Sequence, residues 1–211
     1  MAAPARRAGW WPAGLATVAG VAWLGSTLLA YRRFPGRFGP AGNSTFSQLG
    51  DHSLNPGGAT VARVGSAIAG LALVAFFASL GRWRRSGTPT ANAALWALRG
   101  GGALGGVGLV MVAVHPEGSQ LATHLRWARV LFVSFGIAMF VAPVALHRAG
   151  RRRPGLLVVG VVGSGAVAAS LAFPAAKGLE WVDVGGIGSF VGLLAVLSTP
   201  TRFQVGRTTG R

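Results

Sequence analysis

The sequence has no cysteine, one lysine and only four acidic residues among its 211 residues. The absence of cysteine excludes a disulfide framework, a thiolate nucleophile and a cysteine metal site. The scarcity of acids leaves a net charge of +16, almost all of it from arginine. Nucleic-acid binding would require these arginines to gather on one soluble face. They lie instead between the apolar segments and at their ends. We therefore interpret them as membrane-topology signals and expect no nucleic-acid partner.

Charged residues make up 11% of the chain and apolar residues 51%, and the mean hydropathy is +0.51. A soluble globular chain of this length rarely combines these values, so lipid is the expected solvent. The apolar runs are continuous for about twenty residues, which fits helices, because the strands of a membrane barrel are shorter and alternate in polarity. The expected fold class is therefore all-α, a polytopic membrane protein.

Six apolar runs are long enough, or nearly so, to cross a hydrocarbon core of about 30 Å. They predict one transmembrane domain over residues 1–199, followed by a basic cytoplasmic tail at 200–211. The first connection, 34–56, is much longer than the others. The predicted helices are 10–31, 61–80, 93–114, 125–146, 156–173 and 182–197.

The orientation follows from the basic residues near the helix ends. With the N-terminus inside, twelve arginines lie on the inner side and seven basic residues on the outer side. This bias predicts a protein of the cytoplasmic membrane with both termini cytoplasmic. The long first connection is then extracytoplasmic.

Most of the acidic residues and histidines fall on the predicted outer face. They supply oxygen and imidazole ligands of the kinds that bind zinc or act as acids and bases, but their spacing matches no metal signature. Three alternatives stay open: hydrogen bonds from the loop to the helix ends, a metal or catalytic site, or binding alone. The candidate site residues are Asp51, His52, Asn55, Glu117 and His124, and the candidate zinc ligands are His52, His115 and His124.

Serine chemistry is a weaker hypothesis. Ser44, Ser47 and Ser53 lie near Asp51 and His52 in the sequence. The chain nevertheless contains no G-x-S-x-G elbow. No serine is therefore assigned as a nucleophile from the sequence.

Three arginines, Arg63, Arg126 and Arg129, are expected at headgroup depth on the outer face. A guanidinium matches phosphate geometry in a bidentate manner, so they are candidates for holding a lipid phosphate. The alternative is that they form ion pairs where water is scarce. The acids available for such pairs are Glu117, Glu180 and Asp183.

Two further patterns concern the spans. Glu180 and Asp183 are assigned to the last connection, although the predicted span 182–197 begins one residue before Asp183. The spans are therefore expected to carry no carboxylate, which argues against coupled transport and an ion pore. Small residues at four-residue spacing predict close helix crossings, either within the bundle or between two copies. These pairs are Gly101 with Gly105, Gly102 with Gly106, and Gly188 with Gly192.

The order of several short motifs resembles a known family. A loop with S-x-L-G and N-P is followed by a proline next to an acid and by a histidine that opens the fourth span. In this chain these residues are Ser47, Leu49, Gly50, Asn55, Pro56, Pro116, Glu117 and His124. The chain resembles the bacterial and archaeal six-helix membrane proteins catalogued as domain of unknown function 998, which are distantly similar to the Frag1/DRAM/Sfk1 proteins. The resemblance implies the same architecture and outer loops, and no reaction.

Three functional hypotheses follow. The leading one is a membrane protein that binds lipid, or a protein partner such as a second copy, through its outer face. The second is a membrane hydrolase or transferase that acts on a lipid at the outer face with a bound metal. The third, a small-solute transporter, has little beyond Ser66, Ser134 and Ser164 to line a path.

Overall fold

The structure, a computed structural model, describes residues 11–36, 38, 45–80, 89–147, 154–172 and 178–198. These residues form seven helices and contain no strand, which confirms the all-α class. Each of the six predicted spans overlaps one long helix, and a short helix lies in the first connection. The helices are α1 (Trp11–Arg32), α2 (Phe46–Leu49), α3 (Ala59–Ser79), α4 (Pro89–Val114), α5 (Glu117–His147), α6 (Pro154–Ala172) and α7 (Gly178–Ser198).

Four of these helices are long and apolar enough to cross a membrane: α1, α3, α4 and α5. The apolar stretches found in α6 and α7 are shorter, Gly160–Ser170 and Trp181–Leu197. Many large apolar side chains point outward, including Leu71, Phe140 and Val196. An outward apolar surface on helices of this length is typical of a membrane protein.

The six long helices pack in chain order, and α7 returns to contact α1. Aromatic rings from three helices meet at the centre of the bundle. Phe77 of α3 lies 5.9 Å from Phe135 of α5 and 6.3 Å from Phe190 of α7, measured between ring centroids. All three side chains are buried. This cluster holds the ring of helices together from inside.

Glycines of α4 allow the closest helix crossings. A β-carbon added to Gly106 would lie 2.8 Å from the carbonyl oxygen of Gly70 in α3, and one added to Gly70 would lie 2.6 Å from that of Gly106. On another face of α4, a β-carbon at Gly101 would lie 2.9 Å from the Ser134 oxygen of α5. The predicted small-residue pairs of α4 therefore pack inside the bundle.

The glycine pair of α7 behaves differently. A β-carbon added to Gly188 or Gly192 would meet no atom within 4 Å among the described residues. These two glycines thus make no close crossing with a described helix, although the sequence predicted that small residues at this spacing mediate helix contacts.

Two arginines cap the carbonyl ends of α3 and α4 reciprocally. Arg63 of α3 donates from Nε to the Ala113 oxygen at 2.7 Å and from Nη2 to the Val114 oxygen at 3.3 Å. Arg99 of α4 donates from Nη2 to the Ala78 oxygen at 3.0 Å. Cations at helix C-termini satisfy orphan carbonyls and oppose the negative end of the helix dipole. The two helices are therefore antiparallel and tied at both ends.

The end of the bundle that holds α2 is called the α2 end below. The C-termini of α1 and α4 and the N-termini of α3, α5 and α7 meet there. An aromatic cluster covers part of it, and Phe46 of α2 lies 4.1 Å from Trp181 and 5.3 Å from Trp23 between ring centroids. The other members of the cluster are Tyr31, Phe34 and Phe38.

Several predicted features lie outside the described residues. They include the basic tail at 200–211 and most of the arginines used to predict orientation. Ser44 and the side chain of Glu180 are also outside. The arginines concerned are Arg6, Arg7, Arg37, Arg82, Arg84, Arg85, Arg148, Arg151, Arg152, Arg153, Arg202, Arg207 and Arg211.

Candidate functional site

The first connection folds into consecutive turns that join α2 to α3. Asp51 stabilises the first of these turns. Its Oδ1 accepts hydrogen bonds from the Ser53 amide at 2.9 Å and the Ser53 hydroxyl at 2.8 Å. Its backbone oxygen accepts from the amides of Leu54 and Asn55. An aspartate that bonds two residues ahead is a common turn former. Asp51, which is buried, therefore shapes the loop.

Asn55 ties this loop to the bundle. Its Nδ2 donates to the Ala30 oxygen of α1 at 3.1 Å and to the Leu49 oxygen of α2 at 3.0 Å. The side chain is fully buried. A β-carbon added to Gly58 would lie 2.5 Å from this Nδ2, so glycine there leaves room for the amide. Asn55, one of the candidate site residues, thus links the first connection to α1 and α2 by hydrogen bonds.

The acids at the α2 end contact the start of α5. A β-carbon added to Gly118 would lie 2.4 Å from Oδ2 of Asp51, so the carboxylate packs directly on that backbone. Glu117 is the first residue of α5, and its Oε2 accepts a long hydrogen bond from the Thr45 hydroxyl at 3.4 Å. Both acids therefore join the first connection to α5.

His124 occupies the centre of the α2 end. It is buried in α5, one turn after a break at Gln120, where φ is −139° and ψ is 42°. Its Nδ1 lies 2.7 Å from the backbone oxygen of His115, and its Nε2 lies 2.9 Å from Oγ of Ser47. A carbonyl oxygen only accepts, so Nδ1 carries the proton. In the neutral ring, Nε2 then accepts the Ser47 hydroxyl proton.

The three candidate zinc ligands have different partners. The Nδ1 of His115 lies 2.9 Å from the Met111 oxygen, and His52 is exposed, with Nε2 3.4 Å from the Thr60 hydroxyl. In the part of the chain that the structure describes, no group of three histidine or acidic side chains could hold one ion. A zinc ion held by His52, His115 and His124 stays a prediction.

A cavity of about 90 Å³, with a mainly apolar lining, opens beside Ser47 and His124. The stem of Arg63 also lines it, and a β-carbon added to Gly50 would lie 3.2 Å from its Cγ. Arg63 uses Nε and Nη2 to cap α4, and its Nη1 has no hydrogen-bond partner among the described residues. The upper cavity, as we call it, is lined by a hydroxyl, an imidazole and the stem of an arginine.

A second, apolar cavity of about 400 Å³ adjoins the first. We call it the lower cavity. It lies between α1, α5 and α7, and Gly20, Gly188 and Gly192 contribute walls without side chains. Residues that line both cavities mark where they adjoin. These are Trp23, Leu109, Leu131, Phe132 and Val184.

Arg126 and Arg129 are exposed on α5. Neither forms an ion pair or a hydrogen bond with another described residue, and the side chain of Glu180 lies outside that set. The predicted pairing with Glu117 and Asp183 is therefore absent from the described contacts. Both guanidinium groups are open to the surroundings, as the lipid-phosphate hypothesis requires.

Asp183 is placed differently from the prediction. It lies in the second turn of α7, almost fully buried, and not in a connection. Ser170 of α6 is the polar side chain that approaches it. The two side chains do not form a hydrogen bond with each other. Neither Asp183 oxygen nor the Ser170 hydroxyl has a hydrogen-bond partner among the described residues. Asp183 lies within the apolar stretch Trp181–Leu197 of α7, which contradicts the prediction that the spans carry no carboxylate.

Comparison with protein-family models, curated proteins and solved structures finds no match to this chain. The resemblance to the six-helix family of unknown function therefore stays a prediction. Among the residues that carried it, Ser47 bonds His124 and Asn55 bonds the Leu49 oxygen.

Sequence reasoning missed the pairing of Ser47 with His124. The two residues are 77 positions apart, and it grouped serine with Asp51 and His52 because they are neighbours in the chain. Trp23, at the junction of the two cavities, was also given no role. The available signal was its position as an aromatic side chain in the middle of the first apolar run.

Proposed function

We propose that this chain is an integral membrane protein of six spans that binds a lipid at its α2 end. The acyl chain occupies the lower cavity and the polar part of the lipid lies in the upper cavity. The observation that carries this proposal is that a small cavity lined by a few polar groups adjoins a larger and more apolar one. This is the shape and polarity of an amphiphile, and the lower volume falls within the range of about 300–1,000 Å³ typical of ligand sites.

The six-span topology rests on helix length. Helix α6 has 19 residues and α7 has 21, and at about 1.5 Å per residue each approaches the thickness of a hydrocarbon core. The excess of arginine on the side of the termini favours cytoplasmic termini and an extracytoplasmic α2 end in the cytoplasmic membrane. A lipid of the outer leaflet then has direct access to the cavities.

Filling the lower cavity is expected to remove the lipid. In the double variant Gly188→Leu, Gly192→Leu the new side chains begin in open space, so the fold should tolerate them while they occupy the acyl-chain volume. We expect at least about a tenfold loss of affinity, equivalent to about 1.4 kcal/mol. Native mass spectrometry of the purified protein, with added phospholipid, measures the bound fraction.

The matched control is Gly185→Leu on the same helix. Gly185 also faces open space but lines neither cavity. Equal lipid loss in the control, or none in the double variant, would contradict the proposal. The oligomeric state, read from the same spectra, tests the alternative that Gly188 and Gly192 join two copies of the chain.

The exposed arginines are expected to select anionic lipid. Helix α5 is 31 residues long, and Arg126 and Arg129 lie about one-third of the way along it from the α2 end, near the headgroup boundary if the rest spans the core. Replacing both with alanine should lower the ratio of anionic to zwitterionic lipid that copurifies by about thirtyfold, since each basic residue contributes about 1 kcal/mol at an anionic surface. Lipid mass spectrometry gives the ratio.

Replacing both arginines with lysine is the control, because it keeps the charge but loses bidentate geometry. Partial retention of the anionic preference in the lysine variant would indicate a charge effect at the surface. An unchanged ratio in the alanine variant would remove these arginines from the lipid site.

A further inference from the structure

Ser47 and His124 have the arrangement of a nucleophile and its base. The hydroxyl oxygen lies 2.9 Å from Nε2, and Nδ1 lies 2.7 Å from the His115 oxygen, which fixes the ring. A nucleophile, a base within hydrogen-bond reach and a third group that orients the base are the parts of an activated serine. Here the third group is a backbone carbonyl.

We propose that Ser47 and His124 form a serine acyl-transfer site that acts on the carboxylic ester of a lipid. This inference rests on the proposed lipid binding, since the lower cavity would deliver the acyl chain. Both residues line the upper cavity, next to its junction with the lower one. An ester group that joins a chain to a polar head would lie at this junction.

The upper cavity also supplies positive charge. Arg63 lines it together with Ser47 and His124, and its Nη1 is not used in capping α4. A tetrahedral intermediate places negative charge on the former carbonyl oxygen, and a cation close to that oxygen stabilises it. We assign this role to Arg63.

The reaction balances with water or a second alcohol as the only co-reactant. The Ser47 Oγ attacks the ester carbonyl carbon while His124 Nε2 takes the hydroxyl proton. The carbon–oxygen bond of the ester breaks, and the leaving alcohol takes that proton from Nε2, so that Ser47 carries the acyl group. Water then attacks the acyl-serine with His124 as base, which releases a fatty acid and restores Ser47. An alcohol in place of water gives a new ester.

The first test uses an alkyl fluorophosphonate. Attack by the serine oxygen on phosphorus expels fluoride and leaves a stable adduct. We expect one adduct per chain, on the peptide that contains Ser47, by intact mass and peptide sequencing. It should be absent in Ser47→Ala and at least about tenfold slower in His124→Gln, whereas Ser53→Ala, which changes the neighbouring loop serine, should label like the wild type.

The second test uses the absence of cysteine from the chain. Ser47→Cys introduces the only thiol, and its alkylation by iodoacetamide reports how strongly the neighbouring imidazole promotes the thiolate. Adding His124→Gln should slow alkylation at least about tenfold. Equal rates in the presence and absence of the histidine would overturn the proposal, and so would a wild-type protein that takes no adduct under conditions that label a serine esterase in the same detergent.

The lipid content of the same samples separates this proposal from lipid binding. Bound lipid without an adduct at Ser47 would overturn the acyl-transfer site and leave lipid binding intact. An adduct at Ser47 with no bound lipid would support the nucleophile and remove the lipid proposal. Melting curves of each variant show whether a lost adduct reflects unfolding. If it does, the alkylation rates of Ser47→Cys with and without His124→Gln test the acyl-transfer site instead.

Discussion

Gly106→Leu is expected to destabilise the helical bundle. A β-carbon at this position would lie 2.8 Å from the Gly70 oxygen and 3.0 Å from the Val74 amide nitrogen. Both are backbone atoms, which cannot rotate away as the end of a side chain can. Helices α3 and α4 must separate to admit the leucine, and this would also loosen the capping by Arg63 and Arg99. We expect a loss of at least about 3 kcal/mol.

Thermal unfolding in detergent, followed by the fluorescence of the seven tryptophans, measures this loss. A change of about 3 kcal/mol lowers the Tm of a chain of this size by roughly 6–12 °C. The matched variant is Gly100→Leu on the same helix, where an added β-carbon meets nothing within 4 Å. A Gly106 variant as stable as the Gly100 variant would show that α3 and α4 do not cross this closely.

Asn55→Asp is expected to detach the first connection from the bundle. The substitution keeps the side-chain volume but removes both N–H donors, so the Ala30 and Leu49 oxygens lose a partner and face a second acceptor. A buried group left without its hydrogen bond costs about 1–3 kcal/mol, and charge in this buried position adds to it. We expect a total loss of about 3 kcal/mol.

The exposed Asn92 at the start of α4 provides the control. Asn92→Asp makes the same chemical change where water solvates the carboxylate, and it should move the Tm by less than about 2 °C, as surface substitutions usually do. Limited proteolysis distinguishes local from global effects. Cleavage within residues 45–58 in the Asn55 variant, with α3 to α5 protected, would place the damage in the loop. An unchanged cleavage pattern and Tm would contradict the fastening role.

The sequence predicted the long helices well because the signal for them is local. A run of about twenty apolar residues has few alternatives to a helix, since backbone polar groups must be satisfied within the segment when the solvent is lipid. The bounds of the helices were less accurate. Helix α5 begins at Glu117, eight residues before the predicted start, because its first turn is polar and precedes the break at Gln120.

The candidate polar site stays a prediction, and the structure shows what its residues contact. Asp51 and Asn55 hold the loop together, and His52 is an exposed residue at its edge. His124 is the predicted site residue with a reactive partner, Ser47. Asp51 and His52 were grouped into one candidate site because they are adjacent in the sequence. Adjacent side chains in a turn often point in different directions.

Asp183 is a second residue whose surroundings could not be predicted from its position in the sequence. Hydropathy places it at the margin of the last span, where a connection is a reasonable prediction, yet it lies buried in α7 beside Ser170. Its environment depends on how α6 and α7 pack, and neither segment carries a signal for that packing.

Taken by itself, the sequence determined the all-α class of the described residues and where their long apolar helices lie. These properties depend on composition within about twenty residues, which lipid as a solvent constrains strongly. Only the tertiary structure decided that Ser47 contacts His124, that Arg63 caps α4, and that glycines of α4 pack while those of α7 line a cavity. Such contacts join residues tens of positions apart, and they depend on helix rotation and crossing, which the apolar pattern of a lipid-facing helix leaves free.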